Sequence, residues 1–288
     1  MPVHDDLGRR MKEYYEQIPK MRLMRREPVI IRIDGKAFHS FTKGFKRPFD
    51  DVLIESMQQT MRYLCENVQG CVLGYHQSDE ISLVLIDYQR LISDAWFGYE
   101  VQKICSIAAS MATMVFNKFF MKCIGEFVNH KQSIVEELGL DVDPNVRELI
   151  ATYSDAYNKG AMFDARCFNI PKEEVTNYIY WRQLDATRNS IQMVGQANFS
   201  HKELHGKSCN QIQDMLMIQK GINWNDFQIY QKRGSCCVKE RYSTVDLGTY
   251  TGNIDAITRT RWIIDKEIPI FKGENRSYID KLIFMGEE

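Results

Sequence analysis

The order of a few short apolar segments fixes most of what this chain can fold into. Pro28-Val-Ile-Ile-Arg-Ile33 is a β-branched run ending at Asp34-Gly35, which predicts a strand that runs into a turn. Asp50 is placed to cap a helix in which Leu53, Met57, Met61 and Leu64 recur at near-helical spacing, as far as about Asn67. Cys71 to Tyr75 and Ile81 to Ile86 predict two short strands, joined by the polar turn Gln77-Ser-Asp-Glu80. A long apolar-periodic helix is expected from about Ala95 to Val128, and another strand from Met162 to Asn169. Strand, helix, strand, strand, helix, strand is the order of the ferredoxin-like split unit. The predicted class is therefore α+β: an antiparallel sheet with helices on one face and strand one between strands three and four. The end of strand one then lies beside the start of strand three. Asp34 and Asp79, some 45 residues apart, are predicted to meet at one edge of the sheet.

Outside this unit the signals are weaker. Asp5 to Ile18 predicts an amphipathic helix stopped by Pro19, and residues 131–160 read as acidic and irregular, with Pro144 inside. Pro171 opens a helix that runs to about Val194. Ser200-His-Lys-Glu203 and Ser208-Cys-Asn-Gln211 each fit a capping box, with Gly206 between them. Ser235 to Arg241 predicts a polar strand and Trp262 to Asp265 a last one. The expected organisation is a sheet-bearing unit over 1–195 and a mixed C-terminal extension, 196–288, packed on it.

With 288 residues, 44% of them hydrophobic, the chain has enough material for a core. Thirty-seven Lys and Arg against 38 Asp and Glu leave a net charge of −1, so bulk charge gives no hint of a nucleic-acid partner. Eight scattered cysteines without a CxxC suit buried thiols in a reducing compartment. The charged N-terminus lacks the apolar core of a signal peptide, and Ile107 to Phe116 is shorter than the ~18 apolar residues of a membrane span. The expectation is a cytoplasmic protein that does not enter a membrane.

Two carboxylates at a sheet edge, each beside a turn, suit Mg²⁺, which takes one or two carboxylates together with substrate phosphates. Gly35, lacking a Cβ, lets backbone approach a phosphate closely. Either motif alone is more simply a turn. Together, on the inferred sheet, they favour a metal site for phosphoryl transfer.

Arg32-Ile-Asp-Gly-Lys-Ala-Phe-His39, Phe45-Lys-Arg-Pro48 with Asp50, and Tyr75-His-Gln-Ser-Asp-Glu80 resemble the signature of the tRNA-His guanylyltransferase superfamily. Phe163-Asp-Ala-Arg166 and Trp181-Arg-Gln-Leu-Asp185 match further family motifs in the right order, so that the resemblance spans roughly residues 5–240. It implies a polymerase-type palm and addition of nucleotides to tRNA 5′ ends in the 3′-to-5′ direction. ATP or GTP first activates the 5′ phosphate, which the 3′-hydroxyl of an incoming NTP then attacks. By the same resemblance Asp34, the Gly35 carbonyl and Asp79 would hold two Mg²⁺ ions, with Glu80 close by as a third catalytic acid. Gly35, Lys36, Ala37, Phe38 and His39 would cradle the triphosphate, with Ser78 near it. Arg47, Asp50, Lys103 and Arg166 match positions for nucleotide activation or phosphate binding. Homotetramers are common in the family. One departure is informative: where eukaryotic members carry a His-Ile-Asn-Asn motif, this chain has Ala186-Thr-Arg-Asn-Ser190. That resembles the bacterial and archaeal branch, which repairs 5′-truncated tRNAs on a template.

Basic clusters that would each be a solvated face if taken alone become, beside such a unit, a track for tRNA phosphates. Arg25, Arg26, Lys232 and Arg233 belong to it, with Arg188 and Lys207 as further contacts. His201, His205 and Cys209 have i, i+4, i+8 spacing, but Gly206 interrupts the helix, which favours surface or RNA contact over zinc. The rival functions are another palm enzyme, such as a nucleotidyl cyclase, a guanylyltransferase specific for tRNA-His, and a silent tRNA-binding protein.

Overall fold

The computed structural model of the chain describes residues 5–138, 143–247 and 254–285. In chain order the elements are α1 (Asp6–Met11), β1 (Val29–Gly35), α2 (Phe38–Phe41), α3 (Asp51–Asn67), β2 (Cys71–Gln77), β3 (Glu80–Leu85), α4 (Val101–Leu138) and α5 (Pro144–Lys159). They continue with β4 (Phe163–Asn169), α6 (Lys172–Asn198), α7 (His201–Leu204), α8 (Cys209–Lys220), α9 (Ile229–Arg233), β5 (Ser235–Leu247), β6 (Ile254–Asp265) and α10 (Ser277–Ile283). The strands form one antiparallel sheet in the order β4-β1-β3-β2-β5-β6. β1 lies between β3 and β4, as the order of elements predicts.

Helices cover both faces of the sheet, which corrects the expectation of one. Val29, Ile31 and Ile33 pack with Met57, Met61 and Leu64 of α3 and with Ile104, Ala108 and Phe116 of α4. Ile30 alternates to the opposite face, where Leu73 and Val84 meet Val175 and Ile179 of α6 and Ile279 and Ile283 of α10. The reason lies in β2 and β3, which are buried at every position. Strands with both faces buried need a layer on each side. A third cluster, Ile191 and Val194 of α6 with Phe199, Ile212, Leu216 and Trp224, fastens α8 to the end of α6. Residue 195 lies inside α6, and β5 adds to the sheet beside β2, so the C-terminal part continues the same sheet.

Several boundaries differ from expectation. The helix predicted from Ala95 starts at Val101, after a turn at Trp96–Tyr99, and runs on to Leu138. Its Val101–Ser133 stretch is long and apolar enough to cross a membrane by length and composition. Its stripe Ile104, Ala108, Ala112, Phe116 and Phe120 is nevertheless wholly buried against the sheet, as a core helix requires. The segment read as irregular forms α5, because Asp143 caps it and Pro144 occupies its first turn, where a missing N–H costs nothing. The helix predicted over 5–18 is only α1 followed by a π turn at Lys12–Glu16, and neither buries a residue. Both capping boxes form, at Ser200 and at Ser208.

Candidate active site

Register brings the two aspartates together. Asp34 stands across from Glu80, and the Gly35 N–H donates to the Asp79 carbonyl at 3.1 Å, tying the end of β1 to the turn before β3. Ser78 takes the left-handed conformation (φ 52°) that lets this turn reverse within two residues. Buried His76 holds it: an Nε2–H donates to the Ser78 carbonyl at 2.9 Å. Burial pushes the His76 pKa down to about 4, so the ring is neutral. The Asp79 carboxyl is shifted upward, first by burial and then by the negative charge of Asp34.

These groups border a cleft of about 650 Å³. Its floor is the Gly35–Phe38 segment. A Cβ on Gly35 would lie 2.2 Å from the Phe38 ring, so the ring occupies the space that any side chain would need. Ala37 is left-handed (φ 54°), and Phe38 is packed among Phe41, Phe116 and Phe163. Lys43, Lys46 and Arg47 line the cleft together with the acidic edge. Asp50 shapes the loop that carries Arg47: it accepts from the Lys46 N–H at 3.0 Å, the Leu53 N–H at 2.9 Å and the Tyr153 hydroxyl at 2.7 Å. Met193 and Gln196 of α6 complete the lining. A carboxylate pair and a set of cations around one cleft suit a polyphosphate bridged to the acids by a divalent ion.

Glu80 does a different job. It is buried, and Arg182 of α6 grips it bidentately at 2.7 and 2.8 Å, while Arg32 approaches to 2.6 Å. Arg182 also bonds Asp185 at 2.8 Å, and Asp185 pairs with Arg188. With both oxygens taken by guanidinium groups, Glu80 anchors α6 to the site edge and is not a free ligand. Glu80, expected as a third catalytic acid beside Asp34 and Asp79, thus stands at the site as an ion-pair partner.

Residues 8–171 match the sequence model of the family described as tRNAHis guanylyltransferase, Thg1. The chain belongs to that family. Its members are nucleotidyltransferases, and so is this protein. A bacterial tRNA(His) guanylyltransferase (Thg1)-like protein solved in complex with ATP is 39% identical, with a TM-score of 0.76 over 97% of this chain and 100% of the other. A second such structure, in complex with GTP, is 37% identical with a TM-score of 0.70 over the same shares. Among the more distant relatives, the tRNA(His) guanylyltransferase of Saccharomyces cerevisiae is 24% identical over 226 residues, 74% of this chain and 82% of the yeast protein.

The other residues singled out from the Thg1-like motifs fall into three groups. Gly35, Ala37, Phe38, His39, Arg47, Asp50 and Ser78 all line the cleft with Asp34 and Asp79. Arg166 flanks it on β4, 3.6 Å from the Asp34 carboxylate and 3.1 Å from Asp164, and the Lys36 N–H is spent on the Met162 carbonyl. Lys103 is not brought to the cleft. It sits in the first turn of α4 over the Phe97 ring, and the part of α4 that bonds Ala161 and Phe163 at the site, Thr113 and Asn117, lies about 15 Å further along.

The expected RNA track is partly dismantled. Arg25 is neutralised by Asp87 and Asp94 beyond the opposite end of the sheet, where Arg26 donates its backbone N–H to Asp87. Lys232 is buried, with its ammonium on the Asn225 carbonyl, and Arg233 serves through its carbonyl, which accepts from the Tyr75 hydroxyl. Arg188 is exposed but paired with Asp185, whereas Lys207 lines a second cavity beside Arg47. Sequence reasoning missed Arg182 and Asp185 as supports of the site. Their signal was the Trp181–Asp185 motif itself, on a helix whose distance from the sheet edge no spacing reveals.

Proposed function

We propose that the protein is a Mg²⁺-dependent 3′-to-5′ nucleotidyltransferase that adds nucleotides to tRNA 5′ ends, repairing truncated tRNAs on a template. One observation carries this: Asp34, at the end of β1, and Asp79, in the β2–β3 turn, meet beside a bare glycine backbone at the mouth of a cleft lined with cations. The donor set fits the metal. Burial first, and then repulsion from Asp34, raise the Asp79 pKa, and a bound cation would offset both. Asp34, Asp79 and the Gly35 carbonyl would hold the ions, with substrate phosphates filling the remaining positions. Mg²⁺ there would lower the pKa of the attacking 3′-hydroxyl and offset charge on the leaving group. Backbone at 35–39, with Lys43 and Arg47, would orient the triphosphate. The 3′-oxygen forms a bond to the 5′-terminal phosphorus of the activated RNA as the bond to the activating nucleotide breaks, and that mononucleotide leaves.

The family resemblance to a polymerase palm is supported by the β4-β1-β3-β2 order and by acids at the β1 and β2–β3 ends. The resemblance suggests a homotetramer, and the exposed Leu7, Tyr14, Tyr15 and Ile18 in the N-terminal segment support association between copies. A cytoplasmic location suits eight cysteines kept as thiols.

The test is a tRNA lacking its first 5′ nucleotide, offered with Mg²⁺, ATP and all four NTPs. The proposal expects addition of the nucleotide complementary to the opposing strand, on tRNA-His and other tRNAs alike. Addition only to tRNA-His would replace repair with the guanylyltransferase function. A cyclic product from NTP without RNA would overturn the assignment.

A further inference from the structure

The cleft does not end at Arg47. Arg47 and Gln196 also line a second cavity of about 400 Å³ that reaches α7 and the start of α8. Its composition is one-sided. Buried Phe199 and Ile212 and half-buried Leu204 form an apolar floor, while exposed Arg47, His201, His205 and Lys207 stand around it. No carboxylate lines it. The nearest acid in sequence, Glu203, is turned back onto Ser200 to close the α7 capping box. Most arginines around the site are spent on internal carboxylates, namely Arg32, Arg166, Arg182 and Arg188. Among the described residues, the side chains of Arg47 and Lys207 have no ion-pair partner in the chain.

We propose that this annex takes one nucleotide unit, the 5′-terminal nucleotide of the RNA, with its base against Phe199, Leu204 and Ile212 and its phosphate between Arg47 and Lys207. This rests on the nucleotidyltransferase reading of the neighbouring cleft. Charge separates the RNA end from a free triphosphate. A triphosphate carries several charges and is normally bound with a divalent ion, and the annex has no acid to hold one. Two cations, Arg47 and Lys207, with the imidazoles of His201 and His205 beside them, match the one or two charges of a terminal phosphate. Apolar floors are worth a substantial fraction of nucleotide binding because every base offers a face to stack. Sharing Arg47 with the cleft makes the two occupants neighbours, as joining them requires.

The test is binding, independent of turnover. Two RNA acceptor-stem hairpins, identical except for a 5′-phosphate or a 5′-hydroxyl, are titrated against the full chain by fluorescence anisotropy. The wild-type protein is expected to prefer the phosphorylated end about fivefold or more. In the double variant Lys207→Ala, His205→Ala that preference falls to within about twofold, while GTP affinity without RNA stays within about twofold of wild type. Matching thermal unfolding of the two proteins shows that the fold is intact. A preference that is absent from the wild type, or that survives in the variant, overturns the annex. GTP affinity falling together with RNA affinity also overturns it, by making the annex a free-nucleotide pocket. If the wild type adds no nucleotide to any tRNA, the reading of the cleft fails while the hairpin titration still decides the annex.

Discussion

A single missing carbon at Gly35 keeps the floor of the cleft open. The Phe38 ring below it has little room to yield, with the rings of Phe41 and Phe163 each centred 5.1 Å away. Gly35→Ala is therefore expected to destabilise the fold by about 1–3 kcal/mol through overpacking, and Phe38→Leu in the same chain should recover part of that loss. Thermal unfolding measures both, and an unchanged Gly35→Ala midpoint would contradict the packing argument. His76 gives a pH signature. Its folded pKa of about 4 lies below the ordinary 6.5, so the unfolded chain binds the extra proton more readily. The resulting stability is complete above pH 6.5 and is lost as pH falls toward 4, by roughly 3 kcal/mol in all. Urea unfolding at pH 7 and pH 5 should show the loss, and His76→Gln should flatten it. A slope of equal size in that variant would assign the effect elsewhere.

At the level of elements, α6 is held to the sheet by one buried ion pair and one apolar cluster. Removing Arg182 takes two hydrogen bonds from buried Glu80 and leaves its carboxylate to Arg32 alone. Arg182→Leu should cost about 2–3 kcal/mol, because Arg32 still compensates Glu80, and the paired change Glu80→Gln, Arg182→Leu should cost less than the single one. A double variant as unstable as the sum of its parts would argue that Glu80 and Arg182 are not coupled. This scale also shows what the residues made legible. β1, α3, the β2–β3 hairpin and β4 announce themselves because their apolar spacing matches their burial, and Asp34 beside Asp79 follows from element order alone. α5 did not, because Pro144 reads as a breaker when its role depends on the Asp143 cap before it. β5 runs to Leu247, six residues past the predicted end. Its outer part is polar, and the signal for it resides in the β6 backbone with which it pairs. Lys103 and Lys232 show the same limit for single residues. A basic side chain in sequence says nothing about which end of a helix meets the cleft, or whether its ammonium is spent on a carbonyl.

For the molecule as a whole, a net charge of −1 hides an uneven distribution. Internal pairs consume much of the positive charge, and what remains around the cleft and annex is Lys43, Arg47 and Lys207. A neutral total therefore does not argue against RNA. The logarithm of the tRNA binding constant should fall linearly with the logarithm of salt concentration, with a slope of about −2 or steeper, and a flat dependence would contradict an electrostatic track. The claim on which the rest depends is that Asp34 and Asp79 form one metal-dependent centre. Its most direct measurement is single-turnover nucleotide addition to a 5′-truncated, pre-activated tRNA by wild-type, Asp34→Ala and Asp79→Ala proteins across a Mg²⁺ titration, with folding verified by circular dichroism. Each variant is predicted to fold and to lose at least roughly 100-fold in rate at every Mg²⁺ concentration. A folded Asp79→Ala protein adding nucleotides at the wild-type rate would contradict the account.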